Sequence, residues 1–83
     1  MQTFYEFEKK PDIESHEFDA EKQCRLIIEA DGWIDAVEES AAFQDAEEAV
    51  DSVQVCWLYD GTELRHYEVT AVLEFRIDQK RSR

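Results

Sequence analysis

The 83-residue chain has two glycines, one proline and two cysteines, and no lysine or arginine at all between Arg25 and Arg65. Each scarcity excludes something. Two isolated glycines cannot build a phosphate-cradling loop, and so little glycine and proline leaves no linker or low-complexity tract. Cys24 and Cys56 stand far apart with no CxxC, which is neither the disulfide framework of a small secreted domain nor a zinc ligand set. They read as free thiols, with a single Cys24–Cys56 bridge as the alternative, and they point to a cytoplasmic protein. No apolar run approaches the ~20 residues of a membrane span. The opening MQTFYEFEKK lacks the basic-then-apolar layout of a signal peptide.

What is present is acid and apolar residues together. There are 21 Asp and Glu against 9 Lys and Arg, a net charge of −12, with 43% apolar and 12% aromatic residues. A disordered acidic tail has too few apolar residues for that, so residues 1–83 read as one compact acidic domain with a frayed basic tail over 78–83. Contacts to phosphates need lysine or arginine, and the charge therefore argues against direct nucleic-acid binding. It argues equally against an anionic membrane surface.

Both glycines follow an aspartate, in Ala30-Asp31-Gly32 and Tyr59-Asp60-Gly61, and Asp-Gly between apolar runs is the strongest short hairpin signal. From Tyr67 to Ile77 the odd positions Tyr67, Val69, Ala71, Leu73, Phe75 and Ile77 are apolar, the alternation of one half-buried strand. Val53, Val55 and Trp57 are odd as well. A three-residue loop, Tyr59-Asp60-Gly61, pairs odd with odd and puts Gly61 at the left-handed bulge position. The same loop type at Ala30-Asp31-Gly32 predicts a second hairpin, pairing Ile28 with Ile34 and Leu26 with Ala36. A helix competes for 24–38, because Leu26, Ile27, Ala30, Trp33, Val37 and Ala41 fall at helical spacing. Both readings stay open.

Residues 41–52 carry the clearest helix signal. Asp45 followed by Glu48 resembles a capping box, and Phe43, Ala46, Ala49, Val50 and Val53 form one stripe that Glu47, Glu48 and Asp51 avoid. The first strand is Thr3 to Glu8 with Tyr5 and Phe7 inward, ended by Pro11. Residues 12–22 hold at most a helical turn near Ala20. The far half of the last strand (Leu73, Phe75, Ile77) needs a neighbour, and the N-terminal strand is the candidate. The expected class is α+β, an antiparallel sheet of 3–5 strands with one or two helices packed on one face.

Motifs for chemistry are absent. Nucleophilic catalysis needs Ser or Cys beside His, and the candidates are Cys24, Cys56, His16 and His66. In the odd–odd register Cys56 and His66 share a face, a contact that competes with a plain core thiol and a surface histidine. No His or Cys pair has metal-ligand spacing, and Asp31-Gly32 and Asp60-Gly61 do not fit a calcium loop. Glu38-Glu39 and Glu47-Glu48 are sequence neighbours that do not converge on one substrate atom. The chain therefore reads as a non-enzyme with no catalytic residue, cofactor or metal. A small enzyme or ligand-binding module is the second alternative.

The unusual feature is the block between Arg25 and Arg65, which holds eleven acids: Glu29, Asp31, Asp35, Glu38, Glu39, Asp45, Glu47, Glu48, Asp51, Asp60 and Glu63. Uncompensated like charges repel in the compact state. A purely solubilising surface is the bland account. The sharper one is a recognition surface for a basic, nucleic-acid-binding protein or nuclease complex, made by Asp35, Glu38, Glu39, Asp45, Glu47, Glu48 and Asp51, with Trp33 as an aromatic anchor. In size, acidity and lack of catalytic motifs the chain resembles phage-encoded inhibitors: anti-CRISPR proteins, anti-restriction proteins and other DNA mimics. It is similar also to bacteriocin and toxin immunity proteins. The resemblance is one of composition over the whole chain, so it brings no residue roles. It implies an inhibitor in the host-cell cytoplasm, a monomer or homodimer, or alternatively an immunity protein or acidic subunit.

Overall fold

The computed structural model describes residues 1–49, 51–71 and 75–80. In chain order the elements are β1 (Gln2–Phe7), α1 (Ala20–Gln23), β2 (Leu26–Ala30), α2 (Trp33–Glu38), α3 (Ala41–Glu48), β3 (Val53–Tyr59), β4 (Leu64–Ala71) and β5 (Phe75–Lys80). The five strands form one antiparallel sheet in the order β2-β1-β3-β4-β5. Helices α2 and α3 pack on one face, and the α+β class expected from the sequence is the observed one.

Cross-strand register decides which residues meet those helices. Phe4 pairs with Ile28, Leu58 with Arg65, Cys56 with Tyr67 and Val69 with Ile77. The core under α2 and α3 is accordingly Phe4, Ile28, Ala30, Cys56, Leu58, Tyr67 and Val69, closed from above by Ala36, Val37, Ala42 and Ala46. Small alanines on the helix undersides let both helices approach the sheet closely.

The register overturns the odd-with-odd hairpin. Tyr59 pairs with Leu64 and Trp57 with His66, so the loop is the four residues 60–63 and odd meets even. The cause is Asp60. Its Oδ1 accepts hydrogen bonds from the amides of Thr62 at 2.9 Å and Glu63 at 2.8 Å, satisfying a wider turn with one carboxylate. Gly61 sits there with φ +100°, in the left-handed region a glycine tolerates. As a result Val53, Val55 and Trp57 lie on the face opposite the helices, and Cys56 and Leu58 lie inside.

Three further expectations are corrected. Residues 67–77 are two strands, with Ala71 opposite Phe75 and Val69 opposite Ile77. Three residues between the paired positions conserve parity, so the alternation runs on through a chain reversal. Leu73 falls outside the described residues. The N-terminal strand does not pair with that segment but sits between β2 and β3. In the expected basic tail, residues 78–80 belong to β5, and 81–83 lie outside the described residues.

Segment 24–38 is neither a hairpin nor one helix. Leu26–Ala30 is a strand paired with β1, and α2 begins directly after Gly32. Helix α3 is capped by Ser40, whose Oγ accepts from the Phe43 amide at 3.1 Å, and not by Asp45. It ends at Glu48. Ala49 is exposed, Val53 opens β3, and Val50 is outside the described residues. In β1 the inward residues are Phe4 and Glu6, not Tyr5 and Phe7. Phe7 is nonetheless only 4% exposed, because Phe18 of the long β1–α1 connection covers it on the other face, with ring centroids 5.8 Å apart.

Candidate functional site

The seven proposed carboxylates all belong to the helical layer or the turn after it. Asp35 and Glu38 are on α2, Glu39 caps its end, Asp45, Glu47 and Glu48 are on α3, and Asp51 follows in the turn to β3. All seven side chains are exposed. Helix α2 turns Ala36 and Val37 down and α3 turns Ala42 and Ala46 down, which leaves the acids on the outer surface. Helices α2 and α3 adjoin through the short link Glu39–Ser40, so the two acidic sets lie on consecutive elements.

Among the described residues the ion pairs are Lys22–Asp19, Arg25–Glu6 and Arg65–Glu63. None of the seven takes part. Of the four other acids of the block, Asp31 is exposed just before α2, and the remaining three are not equivalent to the seven. Glu63 holds Arg65 at 2.7 Å, Asp60 is spent on its turn, and Glu29 lies on the opposite sheet face, across from Thr3. The acidic plate is therefore narrower than the sequence block: the helical layer and the turn to β3.

Trp33 is half-buried rather than presented. Its ring meets Phe4 edge-on at 5.0 Å, and the Arg65 guanidinium sits 4.3 Å above it. The Glu63 carboxylate keeps that guanidinium charged, raising its proton affinity chiefly through their hydrogen bond. Cation–π contact and ring packing bind Trp33 into the fold.

One arrangement escaped sequence reasoning. Glu6 is fully buried, yet its carboxylate accepts hydrogen bonds from Arg25 Nη2 at 2.7 Å, from the Ala41 amide at 2.7 Å and from the Ala42 amide at 3.1 Å. Two of these donors are the first amides of α3, which have no partner within the helix. A strand carboxylate thus pins the acidic helix to the sheet. Only the placement of a lone acid within an apolar strand hinted at it. Beside it lies Cys56, whose thiol is pushed up from 9.0 to about 12, first by burial and then by the Glu6 charge.

The Cys56–His66 pairing does not form. Cys56 faces the helices, whereas His66 is on the other face, stacked on Trp57 at 4.0 Å between centroids. Both cysteines are free thiols. Among the described residues no three His, Cys, Asp or Glu side chains gather to hold a metal ion. Two open hollows flank the connection after β1. One of about 530 Å³ is lined by Lys10, Pro11, Asp12, Ile13, Glu14 and Leu64. The second, about 440 Å³, lies among Phe7, Glu8, Lys9, Pro11, Gln23 and Arg25. No helix among the described residues is long and apolar enough to cross a membrane. No protein-family model, curated protein or solved structure matches the chain.

Proposed function

We propose that this protein acts by binding, not by catalysis: its acidic helical layer occupies a cationic surface that its partner uses for nucleic acid. The observation that carries the reading is the set of seven exposed carboxylates on adjoining elements, with no cation in ion-pair range among the described residues. A folded chain gains nothing in stability from such an array, since like charges repel. Held on helices packed against a sheet, the array offers a cationic groove fixed negative charges in place of a phosphate backbone, which carries one charge per ~1.7 Å of duplex axis. Long-range attraction speeds encounter. In kind this is an inhibitor of the DNA-mimic or anti-CRISPR type, encoded by a phage and acting in the host cytoplasm on a defence or nucleic-acid enzyme.

The test is capture from a bacterial lysate on immobilised protein at low and high salt, with duplex DNA as competitor. Nucleic-acid-binding proteins are expected to be retained, to be displaced by the DNA and to elute as salt screens the contact. The triple variant Glu47→Lys, Glu48→Lys, Asp51→Lys should retain none of them while remaining folded. Unchanged capture by that variant would falsify the electrostatic reading.

A further inference from the structure

The two edges of the sheet differ. At β5 the sequence is Phe-Arg-Ile-Asp-Gln-Lys, with three charges. At β2 the sequence is Leu-Ile-Ile-Glu-Ala, with one charge. Among the described residues nothing pairs with the outer side of β2, which is the first strand of the sheet. An antiparallel edge strand turns alternate N–H and C=O groups outward, so β2 presents open backbone.

Exposed apolar side chains stand on β2 and on the helix packed against it. Ile27, across from Tyr5 on the face away from α2 and α3, is 51% exposed, and Ile34 of α2 is 50% exposed. Around them the ionised groups are Glu29 on the same strand, Asp31 just after it, and Asp35 and Glu38 on α2, all exposed. An apolar edge strand with an exposed isoleucine and a single charge carries little of the charge by which folded proteins discourage strand pairing. This one is left open beside the acidic layer.

We propose that β2 is the docking edge for an extended segment of the basic partner, which adds to the sheet as a sixth strand. Its apolar side chains cover Ile27 on the face away from α2, and its lysines or arginines, turned to the other face, meet Asp35 and Glu38 of that helix. Main-chain hydrogen bonds supply affinity and the alternating side chains supply selectivity, as in other strand additions. Charge selects this occupant over a second copy of the chain: at −12 per molecule, self-pairing would bring Glu29 and Asp31 of both copies to one seam. The inference rests on the electrostatic reading above and extends it from a charged surface to a defined binding mode.

The probe is a synthetic peptide of alternating lysine and valine, with a control in which prolines replace the valines and so cannot pair as a strand. Amide hydrogen exchange and chemical shifts are read by NMR. The alternating peptide should slow exchange of outward amides within Leu26–Ala30, and the proline control should not. Ile27→Lys, at an exposed position, should weaken the peptide about tenfold, the equivalent of ~1.4 kcal/mol, without altering the unfolding midpoint. Peptide shifts confined to α3 would overturn strand addition while leaving the acidic surface intact. Protection of β2 that persists at high salt and in Asp35→Lys would keep the edge but remove its electrostatic basis. Concentration-dependent protection without peptide would mean self-pairing, and would overturn the proposal.

Discussion

The Glu6 carboxylate and the Arg25 guanidinium meet at 2.7 Å at the sheet–helix boundary, with Glu6 fully buried and the arginine side chain 28% exposed. Because the same carboxylate accepts from the Ala41 and Ala42 amides, it neutralises the start of α3 as well as the arginine. Glu6→Leu would leave Arg25 without its counter-charge and both helix amides without an acceptor. Removing one partner of a buried pair costs about 3–5 kcal/mol. Arg25 is partly solvated, so the lower end applies, and Glu6→Leu should lose about 3 kcal/mol in urea unfolding. A loss below about 1 kcal/mol would mean that the anchor is dispensable, since that is the scale of one ordinary hydrogen bond.

Cys56 makes a prediction at alkaline pH. Its thiol is raised from 9.0 to about 12 by burial, with the Glu6 charge adding to it. The native state therefore keeps a proton that the unfolded chain releases above pH 9. Stability from this group is complete below that pH and falls as pH rises towards 12, with a slope of at most about 1.4 kcal/mol per pH unit. Unfolding midpoints in reductant at increasing pH should drop more steeply for the natural chain than for Cys56→Ala. In the folded protein at neutral pH the thiol should resist alkylation while the half-buried Cys24 reacts first.

The acidic layer has a stability signature of its own. With seven exposed carboxylates lacking ion-pair partners among the described residues, added salt should raise the unfolding midpoint by screening repulsion. The triple variant Glu47→Lys, Glu48→Lys, Asp51→Lys should be as stable as the natural chain, within about 0.5 kcal/mol, or more stable. Its salt dependence should be flatter. A variant that unfolds would show that those side chains have a structural role after all.

Much of the fold was legible because hydrophobic periodicity survives the details of pairing. The strand at Tyr67, the helix after Ser40 and the α+β class follow from it. Parity did not survive, for a local reason: Asp60 accepts two amides and widens its turn by one residue, which exchanges the inner and outer faces of β3. The alternation of 67–77 concealed a reversal because three intervening residues conserve parity. In β1 a buried glutamate occupied a core position, so the apolar pattern pointed to the wrong face. Exposure of Glu47, Glu48 and Asp51 was legible from their spacing off the apolar stripe, whereas the packing of Trp33 under Arg65 was not, since that contact joins α2 to β4.

The second face of the sheet depends on one aromatic residue from a connection with little regular structure. Phe18 sits 5.8 Å from the Phe7 ring and 5.4 Å, edge-on, from Tyr59. Its ring packs on Phe7, which is 4% exposed, on the face of β1 away from α2 and α3. Phe18→Ala should cost about 2 kcal/mol, less than the 3–5 kcal/mol of a fully buried phenylalanine, since Phe18 is itself only half-buried. The loss should come with greater exposure of Phe7 and faster exchange at β1 and β3 amides, while the contacts of α3 remain. Phe18→Leu should recover part of the lost stability by restoring apolar cover, the remaining deficit being the edge-on ring pairing, which is worth about 0.5–1.5 kcal/mol. Equal stability of Phe18→Ala and the natural chain would show that the connection lies loosely on the sheet and closes nothing.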